Sequence, residues 1–299
     1  MRHFPLLLIL LCCTAWAAAP VSVSQDPKPV EGDVVTILHP SGNKAREGRI
    51  VAGRREGLWT GWHENGKRAY VGVFEDYQRV GPWTFWRPNG KKRSEGEFVR
   101  GKRTGPWVVF HSSEKKQVEG SWENGLRVGL FLRWDKDGNK SVRQTFEAGV
   151  AHGAYVAYHP NGNKSEEGSY SRGRKSGEWS NWHEKGTLER KGGYSNGKES
   201  GVWELYAQEG YLLGKGPYVQ GIQHGLWTSY YPNGKAAAIG PMINGVQAGE
   251  YEEFWPTGAR RGKGPIKAGK REGIWVILDR QGNVDPDQSG TYEEGKKVL

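Results

Sequence analysis

The sequence contains almost no cysteine and no long hydrophobic run. Only two of its 299 residues are cysteine, Cys12 and Cys13, and both lie near the N-terminus. If that segment is removed, the chain can form neither a disulfide bond nor a thiolate metal site. The apolar stretch from Phe4 to Leu11 is shorter than the ~20 residues that a membrane-spanning helix needs. No segment shows a sustained helical period, so helical repeats are excluded as well.

The N-terminal residues have the organisation of an export leader. Arg2 and His3 precede the apolar run, and Ala15-Trp16-Ala17 follows it as a small-x-small cleavage sequence. We therefore expect residues 1–17 to be a signal peptide and the proline-containing residues 18–32 to be a flexible tether. Two alternatives are an uncleaved N-terminal anchor and lipidation at a cysteine. The leader predicts an exported protein, periplasmic or extracellular, with outer-membrane association as an option.

Glycine and tryptophan are abundant, and both recur with a period of 24 residues. The chain has 45 glycines and 14 tryptophans. An aromatic residue, here called position 0, recurs without a gap from Trp59 to Trp275, and one period earlier stands Val35. The 11 units fill residues 33–299 and start near residues 33, 57, 81, 105, 129, 153, 177, 201, 225, 249 and 273. Such a period indicates an array in which each unit buries its apolar face against its neighbours.

The first half of each unit predicts a strand and a turn. A second large apolar residue stands at position 3 and a glycine at position 7, preceded by asparagine in four units. Asn-Gly between aromatic-rich runs predicts a hairpin turn, because both residues tolerate positive φ. The turn glycines include Gly66, Gly90, Gly138, Gly162 and Gly234. The aromatic residues that we expect to be structural include Trp59, Trp62, Trp83, Trp86, Trp107, Trp179, Trp182, Trp203, Trp227 and Trp275.

The second half of each unit predicts a returning strand. It has glycine at position 13 and an apolar residue at position 15, which face the same side of a strand. The glycine is expected to clear space for a neighbouring ring. Positions 0 and 3 have opposite parity, so either the sheet is aromatic on both sides or a β-bulge realigns the two rows. The fold class predicted is all-β: an elongated single sheet of about 11 β-hairpin repeats, roughly 100 Å long at ~4.8 Å per strand.

These motifs resemble the MORN repeat family. The pattern Gly-x-Trp-x-x-Trp-x-x-Asn-Gly-Lys, followed by Gly-x-Phe-x-x-Gly-Lys-x-x-Gly, is most similar to the 24-residue bacterial variant, whose members are often labelled antitoxin-like. The resemblance covers the chain from about residue 33 onward. It implies a twisted, hairpin-built sheet for protein or membrane contact, with no shared catalytic site. No cofactor is expected.

A few units depart from the pattern. The first lacks the aromatic residue at position 0, and the last gains two residues around Asp285-Pro286-Asp287, as terminal units of arrays commonly do. Inside the array, Glu114 replaces a turn glycine, Tyr77 a closing glycine and Gln144 a strand glycine. An internal departure indicates either a partner site or sequence drift.

Two rows of polar residues raise the question of chemistry. Equivalent residues of successive hairpins lie two strands apart, ~9.6 Å, whereas zinc holds its ligand nitrogens at ~2.1 Å. That spacing also excludes a tightly coupled carboxylate pair within one row, though not the separation found in inverting hydrolases. We therefore predict no metal site, no catalytic residues and no enzymatic activity. The rows are His39, His63, His111, His159 and His183 at position 4, and Glu47, Glu95, Glu119 and Glu167 at position 12.

Positive charge is in excess and follows the repeat. The formal net charge is +10, and the turns after Asn-Gly are basic in the N-terminal half only. The opposite turns, such as Arg54-Arg55 and Lys102-Arg103, form a second basic row. These rims suit phospholipid headgroups, acidic envelope polymers or an acidic protein, unless lysine only keeps exposed edges soluble. The candidate contacts with an anionic surface are Lys67, Arg68, Lys91, Lys92, Arg93, Lys115 and Lys116.

Two functional hypotheses follow from the sequence. The first is an exported, non-enzymatic repeat scaffold that binds a protein or an anionic surface of the cell envelope. Nucleic acid is not expected as a partner, because an exported protein rarely meets it. The second is an antitoxin-like or immunity protein that neutralises a toxin by direct binding, and a periplasmic immunity protein is compatible with the leader. Both leave the oligomeric state open.

Overall fold

A computed structural model describes residues 32–298 of the chain. The predicted signal peptide, and the predicted tether except Gly32, lie outside the described residues. Within residues 32–298 the chain is all-β, and this range contains no helix that could span a membrane. The predicted fold class is confirmed: the hairpins form one open antiparallel sheet of 26 strands.

Successive strands pair antiparallel, so the order in the sheet follows the order in the sequence. A unit contributes one longer and one shorter strand to this meander. The strands are β1 (Asp33–Leu38), β2 (Lys44–Val51), β3 (Arg54–Trp62), β4 (Arg68–Glu75), β5 (Gln78–Trp86), β6 (Lys92–Val99), β7 (Lys102–Phe110), β8 (Lys116–Glu123), β9 (Leu126–Trp134), β10 (Lys140–Glu147), β11 (Val150–Tyr158), β12 (Lys164–Ser171), β13 (Arg174–Trp182), β14 (Leu188–Ser195), β15 (Lys198–Tyr206), β16 (Leu212–Val219), β17 (Ile222–Gln223), β18 (Gly225–Tyr230), β19 (Ala236–Ile243), β20 (Val246–Gln247), β21 (Gly249–Phe254), β22 (Arg260–Lys267), β23 (Lys270–Arg271), β24 (Gly273–Ile277), β25 (Gly290–Glu293) and β26 (Lys296–Lys297). The two parts of a split strand, such as β17 and β18, pair with the same neighbour, β16.

The turn inside each hairpin differs from the one that Asn-Gly suggested. In the second unit, the N–H of His63 donates to the carbonyl of Lys67 (2.8 Å) and the N–H of Gly66 to that of His63 (2.9 Å). Gly66 has a φ of +79°, but Asn65 keeps a negative φ. Such a loop is closed by a glycine bulge rather than by two residues of positive φ. Asn65 instead links turns, because its Nδ2 donates to the carbonyl of Pro88 (2.7 Å).

The turn between units has two residues, both with positive φ. Arg100 and Gly101 have φ values of +48° and +75°, the combination that suits the twist of a tight hairpin. In the preceding turn Tyr77 replaces the glycine and has a φ of +64°, which is strained for an L residue. Its hydroxyl donates to the carbonyl of Gly53 in the turn before. This contact between turns offsets part of the strain.

Three long strands in the C-terminal half are each split in two. The N–H of His224 donates to the carbonyl of Pro217 (3.0 Å), but proline has no N–H to donate in return. The ladder is therefore interrupted at this pair, and the same pairing recurs twice. These three breaks, together with the short final strand β26, give 26 strands where the hairpin count predicted up to 22. The breaks lie at His224, Ala248 and Glu272, opposite Pro217, Pro241 and Pro265.

The core is a row of rings on one face of the sheet. The position 0 ring of Trp107 lies on Gly96, the position 13 glycine of the preceding unit, and a Cβ there would be 2.3 Å from the ring. The predicted role of this glycine, to clear space for a ring, is thereby confirmed. The Trp107 Nε1 donates to the carbonyl of Glu97 (3.1 Å), at a β-bulge between Gly96 and Glu97. The same contacts bury Trp59, Trp203 and Trp275 completely.

The position 15 rings join successive units into an aromatic ladder. Phe74 meets Trp59 and Trp83 edge-on, with centroids 6.1 and 5.0 Å apart. Phe98 lies between Trp83 and Trp107 in the same way. Each such pair contributes ~0.5–1.5 kcal/mol beyond the burial of its area. The face with positions 0, 13 and 15 is called the ladder face below, and the other is called the opposite face.

Gln144, the departure from strand glycine, is part of a local compensation. Its position 0 neighbour is Tyr155, which pairs directly with it across the strands. The Gln144 side chain is 8% exposed, and its Nε2 donates to the carbonyl of Thr145 (2.9 Å). In other units the equivalent carbonyl accepts an indole N–H. The amide therefore replaces the missing indole donor, which favours a structural reason for this departure.

We expect Gly96→Ala to destabilise the array more than Gly101→Ala. The new Cβ on Gly96 would force the Trp107 ring to move, an overpacking cost of ~1–3 kcal/mol or more. A Cβ on Gly101 would meet no neighbouring atom, so only the ~1–2 kcal/mol cost of a left-handed L residue applies. Urea unfolding followed by tryptophan fluorescence measures both variants. Equal losses would contradict the role assigned to the ring.

We expect Gln144→Gly and Tyr155→Trp to be cooperative. Alone, Gln144→Gly leaves an empty space beside Tyr155 and removes the hydrogen-bond donor of the Thr145 carbonyl. Tyr155→Trp alone makes the larger indole clash with the Gln144 side chain. Together they recreate the glycine–indole arrangement of the other units. The double variant should be at least ~1 kcal/mol more stable than the sum of the single changes predicts. Urea unfolding of the four proteins gives this coupling, and strictly additive changes would refute it.

Candidate binding surface

The opposite face has its own row of half-buried aromatic residues at position 3. Lys92 Nζ pairs with Glu95 Oε2 (2.7 Å) and lies 5.7 Å from the ring of Phe110. Glu95 is paired across the strands with Thr84, whose chain neighbour Trp83 points to the ladder face. The sheet is therefore aromatic on both sides. On the opposite face, lysine–glutamate pairs cover the position 3 rings.

The turns that contain Asn-Gly form one long edge, here called the Asn-Gly edge. His63 Nε2 hydrogen-bonds the carbonyl of Trp86 (3.0 Å) in the next unit, and Lys67 Nζ donates to the carbonyl of Asn89 (2.9 Å). The other histidines of the row make the same contact one unit further on. These rings link units along the edge. Across residues 32–298, no group of three or more His, Cys, Asp or Glu side chains is arranged to hold a metal ion.

The predicted basic residues are divided among three surfaces and do not make one rim. Lys67, Lys91 and Lys115 are exposed on the Asn-Gly edge. Arg68, Lys92 and Lys116 lie on the opposite face beside position 3 rings. Arg93 lies on the ladder face, with its guanidinium 5.5 Å from the ring of Phe85. Lys91 precedes β6, and Lys92 and Arg93 point to opposite faces as neighbouring strand residues do. A β-bulge at Arg93, between the pairs Phe85–Ser94 and Trp86–Lys92, then leaves Glu95 on the face of Lys92.

A second basic row, at position 20, lies over the ladder and not only in the turns. Arg79 is 4.8 Å from the ring centroid of Trp83, and Arg103 is 4.4 Å from that of Trp107. Arg103 was predicted only as a turn residue, and Arg79 was not among the predicted basic residues. The spacing shows their placement over the ladder: each arginine stands four residues before the next position 0 ring in the same strand, so both side chains point to one face. The row consists of Arg55, Arg79, Arg103 and Arg127.

The arginines of this row act on one another. Partial burial lowers the pKa of Arg79, and the nearby charges of Arg55 and Arg93 lower it further. Burial likewise lowers the pKa of Arg103, again with contributions from Arg93 and Arg79. Like charges are thus held together over the rings, where cation–π attraction of ~0.5–2 kcal/mol per contact stabilises them.

In the C-terminal half the ladder face contains carboxylates that neutralise its cations. Lys175 pairs with Glu166. Arg271 pairs with Glu253 at 3.0 Å while it lies 4.3 Å from the ring of Trp275. The same structural position therefore has an internal counter-ion in these units. Charge on the ladder face is asymmetric along the array.

Tyr194, on the compensated part of the ladder face, contributes to the change of stability at alkaline pH. Its hydroxyl donates to Glu199 Oε1 (3.1 Å), and burial is the main cause that raises its pKa to about 12. The pKa in an unfolded chain is ~10, so the folded state holds this proton more tightly. The resulting stabilisation is fully present below pH ~10 and is lost as the pH rises towards 12.

We therefore expect the free energy of unfolding of Tyr194→Phe to fall less steeply than that of the wild type between pH ~10 and ~12. Phenylalanine keeps the ring but has no proton to lose. Denaturant titrations at closely spaced pH values measure the two slopes. Parallel curves would mean that Tyr194 does not contribute to the alkaline loss.

Comparisons with known proteins agree with the repeat. A family model described as a MORN repeat variant matches residues 55–76, 79–100, 151–172 and 223–244. No curated protein matches the chain. Solved structures that match include the crystal structure of TcdB2-TccC3-Cdc42, at 11% identity over 83% of this chain with a TM-score of 0.19. Another is the Photorhabdus luminescens Tc holotoxin pore with the TccC3-D651A mutation, at 12% identity over 88% with a TM-score of 0.18.

The chain spans only 15% and 16% of the length of those two chains. At these TM-scores neither structure supports an argument about fold or function. The family match, the period and the hairpin geometry are independent of them.

Proposed function

Because the chain is a MORN-like repeat protein, we propose that it is an exported, non-enzymatic scaffold that binds a protein or an anionic surface of the cell envelope. Repeats of this kind are commonly protein- or lipid-binding modules and are generally non-catalytic. Export is supported by the leader-like residues 1–17. The expected location is the periplasm or the extracellular space.

The observation that supports anionic binding best is the uneven charge of the exposed edge. The Asn-Gly edge has Lys67, Lys91 and Lys115 at position 8 of three successive units, and all three are exposed. The next two units have Asn139 and Asn163 there. If lysine served only to keep turns soluble, no such asymmetry would be needed. Lysines spaced at ~9.6 Å along an edge provide an electrostatic footprint for a negatively charged surface.

The proposal is tested by charge reversal on this edge. The triple variant Lys67→Glu, Lys91→Glu and Lys115→Glu should reduce low-salt binding to phosphatidylglycerol vesicles or envelope extract by at least ~10-fold, since each basic residue near such a surface contributes ~1 kcal/mol. The matched control is Lys185→Glu, Lys198→Glu and Lys235→Glu, which changes the net charge equally in the C-terminal half. Cosedimentation and affinity capture, each at low and high salt, are the measurements.

The outcomes separate the two forms of the proposal. Binding that is lost in the edge variant and in high salt, but kept in the control, supports an anionic surface. Binding that ignores both charge reversal and salt contradicts it. One protein retained at high salt instead indicates a dedicated partner, and identification of that protein as a toxin would support the antitoxin-like alternative. Fractionation of cells with and without residues 1–17 tests export.

A further inference from the structure

We propose that the ladder face of the N-terminal half binds an extended acidic peptide through the guanidinium row Arg55, Arg79, Arg103 and Arg127. The inference rests on the proposed binding function, and it specifies the partner's chemistry and the face that is used. It concerns a different surface from the Asn-Gly edge.

The first observation is that these guanidinium groups have unused donors. Within residues 32–298, Arg55, Arg79 and Arg103 make neither an ion pair nor a side-chain hydrogen bond, and Arg93 beside them makes none either. Arg127 makes one long hydrogen bond, to the carbonyl of Gly149 (3.4 Å). A guanidinium offers five N–H donors in a fork that matches a carboxylate. The row thus presents several neighbouring guanidinium groups whose N–H donors are free to bind carboxylates.

The second observation is the contrast within the same fold. In the C-terminal half, cations over the ladder have carboxylate partners, as in Lys175 with Glu166 and Arg271 with Glu253. Covering the rings therefore does not require a cation without a counter-ion. The N-terminal half has the cations but lacks the carboxylates, although like charges that are partly buried disfavour one another. An acidic partner would supply the missing groups.

The third observation is the spacing of the row. Successive members belong to strands two apart in the sheet, so they are ~9.6 Å apart. A polyproline-like chain has three residues per turn and advances ~3.1 Å per residue, which places every third side chain on the same side of the chain and ~9.3 Å apart. Four guanidinium groups over ~29 Å fit a segment of about ten residues with Asp or Glu at every third position. The rings beneath hold each guanidinium in place, which lowers the entropy lost on binding.

A peptide fits this surface better than a bilayer or a polyphosphate does. The four guanidinium groups lie in one line across the strands, with Arg93 beside it, whereas a bilayer presents headgroups in two dimensions. Arg55 and Arg127 are only partly exposed, which suits a narrow ligand that lies along the row. A polyphosphate has charges at every unit and would not depend on a three-residue register. Register dependence therefore distinguishes the peptide.

The probe is a fluorescein-labelled 12-residue peptide with Glu at every third position and neutral Pro, Ser and Gly between. Its control peptide has the same composition with the four Glu residues adjacent. Fluorescence anisotropy with the purified chain measures both affinities. The protein variant is Arg79→Gln, Arg103→Gln and Arg127→Gln. The matched control is Lys67→Gln, Lys91→Gln and Lys115→Gln, which removes the same charge from the same three units at the Asn-Gly edge.

We expect the arginine variant to weaken binding of the spaced peptide by at least ~10-fold, and the edge variant to weaken it by less than ~3-fold. The spaced peptide should bind at least ~5-fold more tightly than the clustered one, because only the spaced peptide matches all four guanidinium groups. Thermal unfolding verifies that the variants fold. If the glutamine variant is unfolded, Arg79→Lys, Arg103→Lys and Arg127→Lys keeps the charges but loses the forks and should weaken binding by about 3-fold or more.

Equal loss in the arginine and edge variants, or equal affinity for the two peptides, would overturn the inference in favour of non-specific electrostatics. So would arginine-dependent binding to phosphatidylglycerol vesicles or polyphosphate that exceeds binding to the spaced peptide. Neither result decides the proposed function, which is tested separately by capture on envelope material through the Asn-Gly edge. If that capture also fails, the binding role itself is contradicted.

Discussion

The structure depends on one contact, an indole that lies flat on a glycine backbone. A sheet of a single layer has no second layer to cover its apolar side chains, so the backbone of the next strand must serve as a wall of the core. Only glycine permits this: a Cβ on Gly72 would lie 2.1 Å from the ring of Trp83. The indole N–H then donates to the carbonyl of the following residue, Val73 (3.2 Å). Burial and hydrogen bonding are thus satisfied between neighbouring strands, and repetition of the unit extends the core indefinitely.

Much of this could be predicted from sequence, because period and parity are simple consequences of hairpin geometry. The glycine at position 13 and the ring at position 15 share a face in any regular strand, and the structure places them there. The sequence did not decide which face carries the position 3 residues, because a two-sided sheet and a bulged sheet give the same spacing. The bulge lies in the partner strand, between the pairs Gly61–Tyr70 and Trp62–Arg68. It therefore does not bring the rows at positions 0 and 3 to the same face. The predicted turn type was wrong, since Asn65 stabilises the turn through its side chain and not through a positive φ.

The basic residues show that neighbours in sequence do not predict which charges share a surface. Lys91, Lys92 and Arg93 are adjacent in sequence, yet Lys91 lies in the turn before β6, and Lys92 and Arg93 point to opposite faces of the sheet. Charge clusters in a β-repeat protein are formed by residues 24 apart and not by neighbours in the chain. Arg79 and Arg103 therefore form part of one surface, although the sequence shows each only as a basic residue near a turn.

The ladder face combines the core and a charged surface in a single layer, which links stability to binding. Arg103 lies 4.4 Å from Trp107 and 5.0 Å from Trp122, so the same side chain covers two core rings and presents its guanidinium to solvent. Its charge is opposed by Arg79 and Arg93. An anion that binds there removes this repulsion only in the folded state, because the three residues are distant in an unfolded chain. Such a ligand must stabilise the array by mass action, and the units whose cations already have carboxylate partners gain nothing comparable. The N-terminal half is therefore the part of the array in which a bound acidic partner would stabilise the fold.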